Sequence, residues 1–226
     1  YDLLKSHHAT AEKRYYPLAQ EVITGTYVGD YDYVLDLLDR CYFPTREGVA
    51  NFHDNFVDAL ILAGEEKIAE GKVEQAVTLY KKAFTYPENH QVFLVDERAT
   101  HDAQINYCLG EAYAALGQDA EAEKYWKLAA EQDYELKGSK DFRYWTGLAL
   151  ERLGRKAEAE AIFSALVADG EAAVVTQHVN FYGAEGTTGV TVDIINSAAY
   201  YTQALGHLGL GHRGKAKRLF AEVQRL

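Results

Sequence analysis

Four stretches of the chain repeat one arrangement of small, apolar and polar positions. Each has a glycine, an alanine five residues on, an aromatic four further, and a small or apolar residue three further. The copies read Gly71, Ala76, Tyr80, Ala83; Gly117, Ala122, Trp126, Ala129; Gly154, Ala159, Phe163, Leu166; and Gly211, Ala216, Phe220, Val223. Gly64, Gly110 and Gly147 stand seven residues before their partners, and Ala204 fills that slot in the fourth copy. This spacing predicts pairs of amphipathic helices joined by a tight turn, the glycine supplying the left-handed residue that ends the first helix. Gly110 and Gly147 on first helices and Ala122 and Ala159 on second helices are expected to let the backbones approach. Tyr80, Trp126, Phe163 and Phe220 then fill the gap towards the next pair. No pair can bury its apolar face alone, so copies must stack into a superhelix.

Tyr107, Leu109, Gly110, Ala112, Tyr113, Gly117, Ala122, Trp126 and Ala129 make the second copy resemble the tetratricopeptide repeat. Lys67, Leu150 and His207 depart from it, standing where that family usually has an aromatic. The turn glycines lie 46, 37 and 57 residues apart, whereas an unbroken array repeats at about 34, so extra segments separate the pairs. A fifth, degenerate pair is expected at about 15–43, with Pro17 opening a helix, Gly29 and Asp30 at the turn, and Val34, Leu35, Leu37 and Leu38 on the second helix. The resemblance implies an all-α fold, a right-handed α–α superhelix with irregular insertions. One domain is expected over 1–226, with repeats at about 57–87, 103–131, 140–168 and 197–226 and an inserted loop at about 174–192. At this length on the order of 70% of the unfolded surface can be buried.

Several short phrases are also similar to the helical tail of large bacterial proteins in domain-of-unknown-function family 5107, where repeats follow a β-rich, sugar-enzyme-like region. They are Arg40-Cys41-Tyr42-Phe43, Arg46-Glu47-Gly48, Tyr86-Pro87-Glu88-Asn89, Tyr144 to Leu150, Leu153-Gly154-Arg155 and Leu205 to Gly211. This resemblance implies an appendage of a longer, carbohydrate-active protein. A chain with no methionine, ending at Leu226 directly after a helical run, fits an excised piece.

A net charge of −11 and a pI near 5.2 argue against nucleic acid as partner. The basic cluster His212, Arg213, Lys215, Lys217 and Arg218 reads as a solvated face of the last helix. No apolar run approaches the roughly 20 residues a membrane-spanning helix needs, and a cytoplasmic location is expected. Cys41 and Cys108 sit in apolar surroundings without Cys-x-x-Cys spacing, and read as buried core thiols.

Glu97 and His101, flanked by Asp96 and Asp102, have the one-turn spacing of two metal ligands, but a helix-dipole and ion-pair arrangement explains them better. His53 beside Asp54 and His7 beside His8 are weaker candidates, and His207 is expected to make an internal hydrogen bond. No metal and no cofactor are expected. Val174 to Val192 breaks the helical pattern: Val174, Val175, Thr176, Val179, Phe181 and Tyr182 favour extended backbone and Gly183 to Gly189 cannot hold a helix. The stretch lacks the Gly-Lys-Ser/Thr ending of a phosphate loop, and reads as a long loop, with Asp193 capping the helix that follows.

In the tetratricopeptide fold the first helices line the concave face. That resemblance maps a groove onto Ile61 and Glu65, Tyr107 and Glu111, Tyr144 and Leu148, and Tyr201 and Leu205. Tyrosine suits recognition, offering a large rigid ring and a hydroxyl. Packing between neighbouring helices explains the tyrosines equally well, and both readings stand. The lysine and asparagine side chains with which some members of the family clamp a terminal carboxylate are absent from these slots. The expected function is a non-catalytic protein-interaction or scaffolding module. Its partner is a protein or peptide, another domain of the same polypeptide or a second copy. The alternative is a carbohydrate-binding part of a glycoside-processing site, which would need two carboxyls about 5–9.5 Å apart.

Overall fold

Five glycines adopt positive φ among the described residues: Gly29, Gly71, Gly117, Gly154 and Gly211, at +70° to +82°. They are the four turn glycines of the repeated phrase together with that of the degenerate first copy. The same two hydrogen bonds close every turn. The glycine N–H donates to the carbonyl three residues back, and the next residue donates five back, Asp30 to Gly25, Lys72 to Lys67, Gln118 to Tyr113, Arg155 to Leu150 and His212 to His207, at 2.8–3.0 Å. This satisfies two carbonyls at the end of the first helix and starts the second after two residues in the first hairpin and three in the others, so the helices run back antiparallel.

The computed structural model describes residues 1–44, 52–90, 101–132, 142–176 and 192–226. Those residues form twelve α-helices and no strand; an isolated bridge between Phe43 and His90 is the one β-type pairing. Short helices α1 (Asp2–Ser6) and α2 (His8–Ala11) precede the hairpin α3 (Tyr15–Val28) and α4 (Tyr31–Arg40). Hairpins α5 (His53–Ala69) with α6 (Val73–Lys82), α7 (Asp102–Ala115) with α8 (Asp119–Ala130), α9 (Arg143–Arg152) with α10 (Lys156–Ala173), and α11 (Val192–Gly209) with α12 (Arg213–Arg225) follow. Packing groups the chain into two units, Tyr1–Tyr125 and Trp126–Leu226. The architecture is an all-α helical repeat.

In the first unit α3 packs on α4 and α5, and α6 on α7. Phe43, Phe56, Leu37, Leu38, Leu60 and Ile105 are fully buried. Phe43 stacks on Phe52 at 4.2 Å, while its N–H donates to the Asn89 carbonyl, and the Asn89 amide donates to Leu38 and Cys41 carbonyls. These bonds tie the end of α4 to the segment after α6. Buried Glu21 accepts hydrogen bonds from the Tyr33 hydroxyl at 2.7 Å and from His8 Nδ1 at 3.0 Å, which holds α2 and α4 on α3. A buried carboxylate is tolerable when partnered in this way.

Sequence reasoning placed the repeat aromatics towards the next pair, and the structure adds a second contact within the pair. Tyr80 and Phe163 seat on the glycine of their own pair. A Cβ added to Gly64 would lie 2.2 Å from the Tyr80 ring, and one on Gly147 would lie 2.3 Å from the Phe163 ring. At Gly147 the missing side chain therefore makes a pit for a ring, not a close approach of two backbones. Phe163 also reaches the next hairpin, since a Cβ on Gly209 of α11 would come within 2.3 Å of it. Close backbone approach occurs elsewhere, between α10 and α11. A Cβ on Gly170 would sit 2.6 Å from the Ala199 carbonyl, and one on Gly206 would sit 2.6 Å from the Phe163 carbonyl.

The inserted stretch is described only at its ends. Val174 leaves α10 in extended conformation, and the Asn196 side chain both accepts from the Val175 N–H (2.9 Å) and donates to its carbonyl (3.0 Å). Residues 183–189 lie outside the described residues, as do Glu97, Asp96 and Arg46 to Gly48. Asp193 is within the first turn of α11 instead of capping it; its charge still suits the positive end of the helix.

Candidate partner-binding site

The eight residues mapped onto a groove fall on α5, α7, α9 and α11, two to each helix at i, i+4 spacing, so each pair shares a face. Their exposures differ. Ile61 and Leu205 are buried in the core. Glu65 reaches solvent, yet desolvation pushes its carboxyl above the usual range. Tyr107 and Glu111 are half-buried on α7. Tyr144 is half-buried against Phe163 (ring centroids 5.8 Å) and Trp145 (5.5 Å), and Leu148 packs on the same cluster of Leu150, Ala159, Phe163 and Leu166. Burial raises the Tyr144 hydroxyl, with a smaller contribution from nearby Tyr201.

Tyr201 differs from Tyr107 and Tyr144, which are half-buried. It is 41% exposed, and its ring meets the Phe220 ring edge-on at 5.9 Å. Ile194, one heptad before it, is 61% exposed, and Leu208, one heptad after, is 37% exposed. Between α11 and α12 lies an open groove of about 370 Å³, lined by Asp193, Ile194, Ser197, Ala198, Tyr201, Val223 and Leu226. Of these only Tyr201 was singled out from the sequence as a binding residue. The signal for the others was present as Ile194, Tyr201 and Leu208 at seven-residue steps, but the same spacing is what a core-facing stripe would show.

Arg213, Lys215, Lys217 and Arg218 on α12 are exposed, and none has a carboxylate within ion-pair distance among the described residues. Some cations elsewhere are paired, as in Lys82 with Asp39 (2.6 Å), Arg40 with Asp36 (2.8 Å) and Arg155 with Glu158 (2.6 Å). His207 Nδ1 meets His212 Nδ1 at 3.4 Å at the hairpin turn, so its hydrogen bond is to a surface neighbour and not to the core. Desolvation first, then the nearby Lys215 and His212, holds its pKa below the ordinary value.

The metal candidates resolve differently. His101 is buried and its Nε2 lies 3.4 Å from Asp54. His53 is buried with its ring stacked on Tyr86 at 4.1 Å, and burial pushes its pKa down to about 4. His90 Nε2 bonds the Leu38 carbonyl at 2.7 Å. No group of three or more His, Cys, Asp or Glu among the described residues is placed to hold a metal ion. Cys41 and Cys108 are free and buried, and burial raises both thiols, which leaves them poor nucleophiles. No helix among the described residues is long and apolar enough to cross a membrane.

No protein-family model matches the chain, and no curated protein matches it. Among solved structures the chain is similar to YrrB, described as a TPR protein with an unusual peptide-binding site. Identity is 14% over 97% of this chain and 90% of that one, with a TM-score of 0.36. It is also similar to a Podosopora anserina putative kinesin light chain with nearly identical TPR-like repeats. Identity there is 16% over 92% of each chain, with a TM-score of 0.38 for the protein and 0.39 for a variant of it.

Proposed function

We propose that this chain is a non-catalytic protein-interaction module of the tetratricopeptide type, and that its principal docking surface is the α11–α12 face. The observation that supports this most directly is the exposure of Ile194, Tyr201 and Leu208 on one stripe beside an apolar groove. Among the repeat aromatics of the second helices, Tyr80 and Phe163 are buried while Trp126 and Phe220 are half-buried, and Tyr144 on a first helix is held against Phe163. An apolar stripe left at the surface of a hairpin whose own core is filled is a surface for another molecule. Tyr107 with Glu111 on α7 of the first unit, and separately Tyr144 with Leu148 on α9 of the second, are the secondary surfaces of this proposal.

Selection of a displayed random-peptide library on the folded chain tests this. Enriched peptides are expected to lose at least tenfold in affinity on a Tyr201→Glu/Ile194→Glu double variant that keeps its helical circular dichroism. Peptides that bind the variant equally well, or no enrichment at all, would overturn the assignment. Attachment to a carbohydrate-active parent of the family 5107 kind is the finer reading. It is supported only by short sequence phrases, and a glycan array probed with the folded chain tests its strongest form.

A further inference from the structure

We propose that the α11–α12 face takes a partner protein's helix whose contact face is built of glycine and alanine, seated as α11 is seated on α9–α10. This rests on the reading of that face as a protein-docking surface. Internal register carries it. Fifty-seven residues separate the turn glycines Gly154 and Gly211, and the same step takes Tyr144 to Tyr201, Phe163 to Phe220 and Leu166 to Val223. The step preserves distance as well as residue type. The Tyr144 and Phe163 ring centroids lie 5.8 Å apart, and those of Tyr201 and Phe220 lie 5.9 Å apart. Both hairpins therefore build the same edge, an aromatic on the first helix against an aromatic and an aliphatic on the second.

What differs is the cover. Phe163 and Leu166 are completely buried, and α11 lies over the Phe163 end of α10. A Cβ on Gly206 would come within 2.6 Å of the Phe163 carbonyl and 2.8 Å of the Val167 nitrogen, and one on Gly209 within 2.3 Å of the Phe163 ring. Further along the joint, the Ala199 carbonyl stands 2.6 Å from where a Cβ on Gly170 would be. The covering face of α11 is thus Ala199, Gly206 and Gly209, and the two glycines leave no room for a larger side chain. On α12 the equivalent Phe220 and Val223 are only half-buried, and Leu226, three residues on, is 37% exposed. Val223 and Leu226 face Ile194, Ala198 and Tyr201 of α11 across the open groove of about 370 Å³, whose one charged lining residue is Asp193. An edge of the same make is met in the preceding hairpin by a helix that brings its backbone close. A glycine and alanine face permits that approach here, whereas a leucine face would hold the helix off.

The test uses two synthetic 21-residue peptides, each held helical by a hydrocarbon staple on its outer face, since free helices of this length are marginal. One carries alanine, glycine and glycine spaced as Ala199, Gly206 and Gly209 are; its twin carries leucine at those three positions. Fluorescence anisotropy against the full chain reads the affinity. The small-faced peptide is expected to bind at least tenfold more tightly than the leucine twin. Val223→Glu/Leu226→Glu is expected to remove that binding with helical circular dichroism retained, and Leu226→Glu alone, at an exposed terminal residue, to weaken it several-fold. Equal binding of the two peptides, or tighter binding of the leucine twin, would overturn the small-faced helix while leaving the docking surface intact. Binding of the small-faced peptide that survives both variants would overturn its placement on α12. Binding of neither peptide would overturn the inference, and enrichment of non-helical sequences from the displayed library would show that the docking surface itself stands. A dimer seen by light scattering that Val223→Glu/Leu226→Glu dissociates would make a second copy the occupant and overturn the partner helix.

Discussion

Hairpins α9–α10 and α11–α12 are written with the same phrase and end in different surfaces. In the first, Gly147 leaves a pit, Phe163 fills it, and the ring is completely buried beneath Gly209 of the next hairpin. In the second, Ala204 occupies the slot of Gly147, sixteen residues before Phe220 as Gly147 is before Phe163. Its buried methyl group takes the space a ring would use. Phe220 is accordingly only half-buried and meets the Tyr201 ring instead, while Ile194 and Leu208 stay at the surface. The slot residue differs between the two hairpins, and so does the cover, since Phe163 also lies under Gly209 of the following hairpin. The hairpin α5–α6, with Tyr80 over Gly64, belongs with the sealed kind.

The largest expected difference between the two kinds of joint comes from removing the rings. Phe163→Ala should cost about 3–5 kcal/mol, because the pit between Gly147 and Gly209 would be left empty. Phe220→Ala, losing a half-exposed ring, should cost about 1–2 kcal/mol. Urea unfolding of both variants measures the gap; equal costs would break the comparison.

Acid should separate sealed α5–α6 from open α11–α12 next. His53 starts α5, is buried, and titrates at about 4 against an ordinary value of 6.5, so below pH 6.5 the unfolded chain takes up a proton that the folded chain refuses. The stabilisation is complete above pH 6.5 and is lost as pH falls from there towards 4, on the order of 3 kcal/mol in total. His90, also lowered by burial, acts in the same direction. Hydrogen exchange between pH 7 and 5 should show α5 losing protection before α11. In His53→Phe the pH dependence should flatten.

A smaller effect reads the slot itself. Gly147→Ala would drive a methyl group into the Phe163 ring, and an overpacked joint of this kind costs about 1–3 kcal/mol. The reverse change, Ala204→Gly, opens a pit that Phe220 can enter. Its cost of about 1 kcal/mol in helix propensity should be offset in part, with Phe220 and Tyr201 shielded from solvent in tyrosine fluorescence or NMR. A fully exposed Tyr201 in that variant would show that the slot does not set the difference.

The turns should show no difference at all. Gly154→Ala and Gly211→Ala each place a Cβ on a left-handed residue with open space around it, so each should cost about 1–2 kcal/mol and the two should agree. Unequal costs would mean that the hairpins differ already at the turn.

These joints also mark what could be read in advance. The turn glycines were legible because left-handed backbone is a demand made by one residue on itself, and glycine is the residue that meets it cheaply. The first hairpin was legible from Pro17, from Gly29 and Asp30 at the turn, and from the apolar run Val34, Leu35, Leu37 and Leu38, though the rest of its phrase has degenerated. The partner of each aromatic was not legible. Phe163 could turn to α9 or α11, and it touches both. Nor could the sequence separate Leu205 from Ile194 or Leu208. All three are apolar on one helix, yet the first is buried and the other two are exposed. The close approach at Gly170 and Gly206 was missed because it joins helices across an insertion whose length obscures the register.

What the sequence determined by itself is therefore the succession of helix, tight glycine turn and antiparallel helix, five times over, because helix periodicity and glycine conformation act within a few neighbouring residues. Only the tertiary structure decided which rings are sealed, that burial lowers the pKa of His53, and that Ile194, Tyr201 and Leu208 are exposed on the helix packed against α12. Burial is a property of contacts between residues distant in sequence.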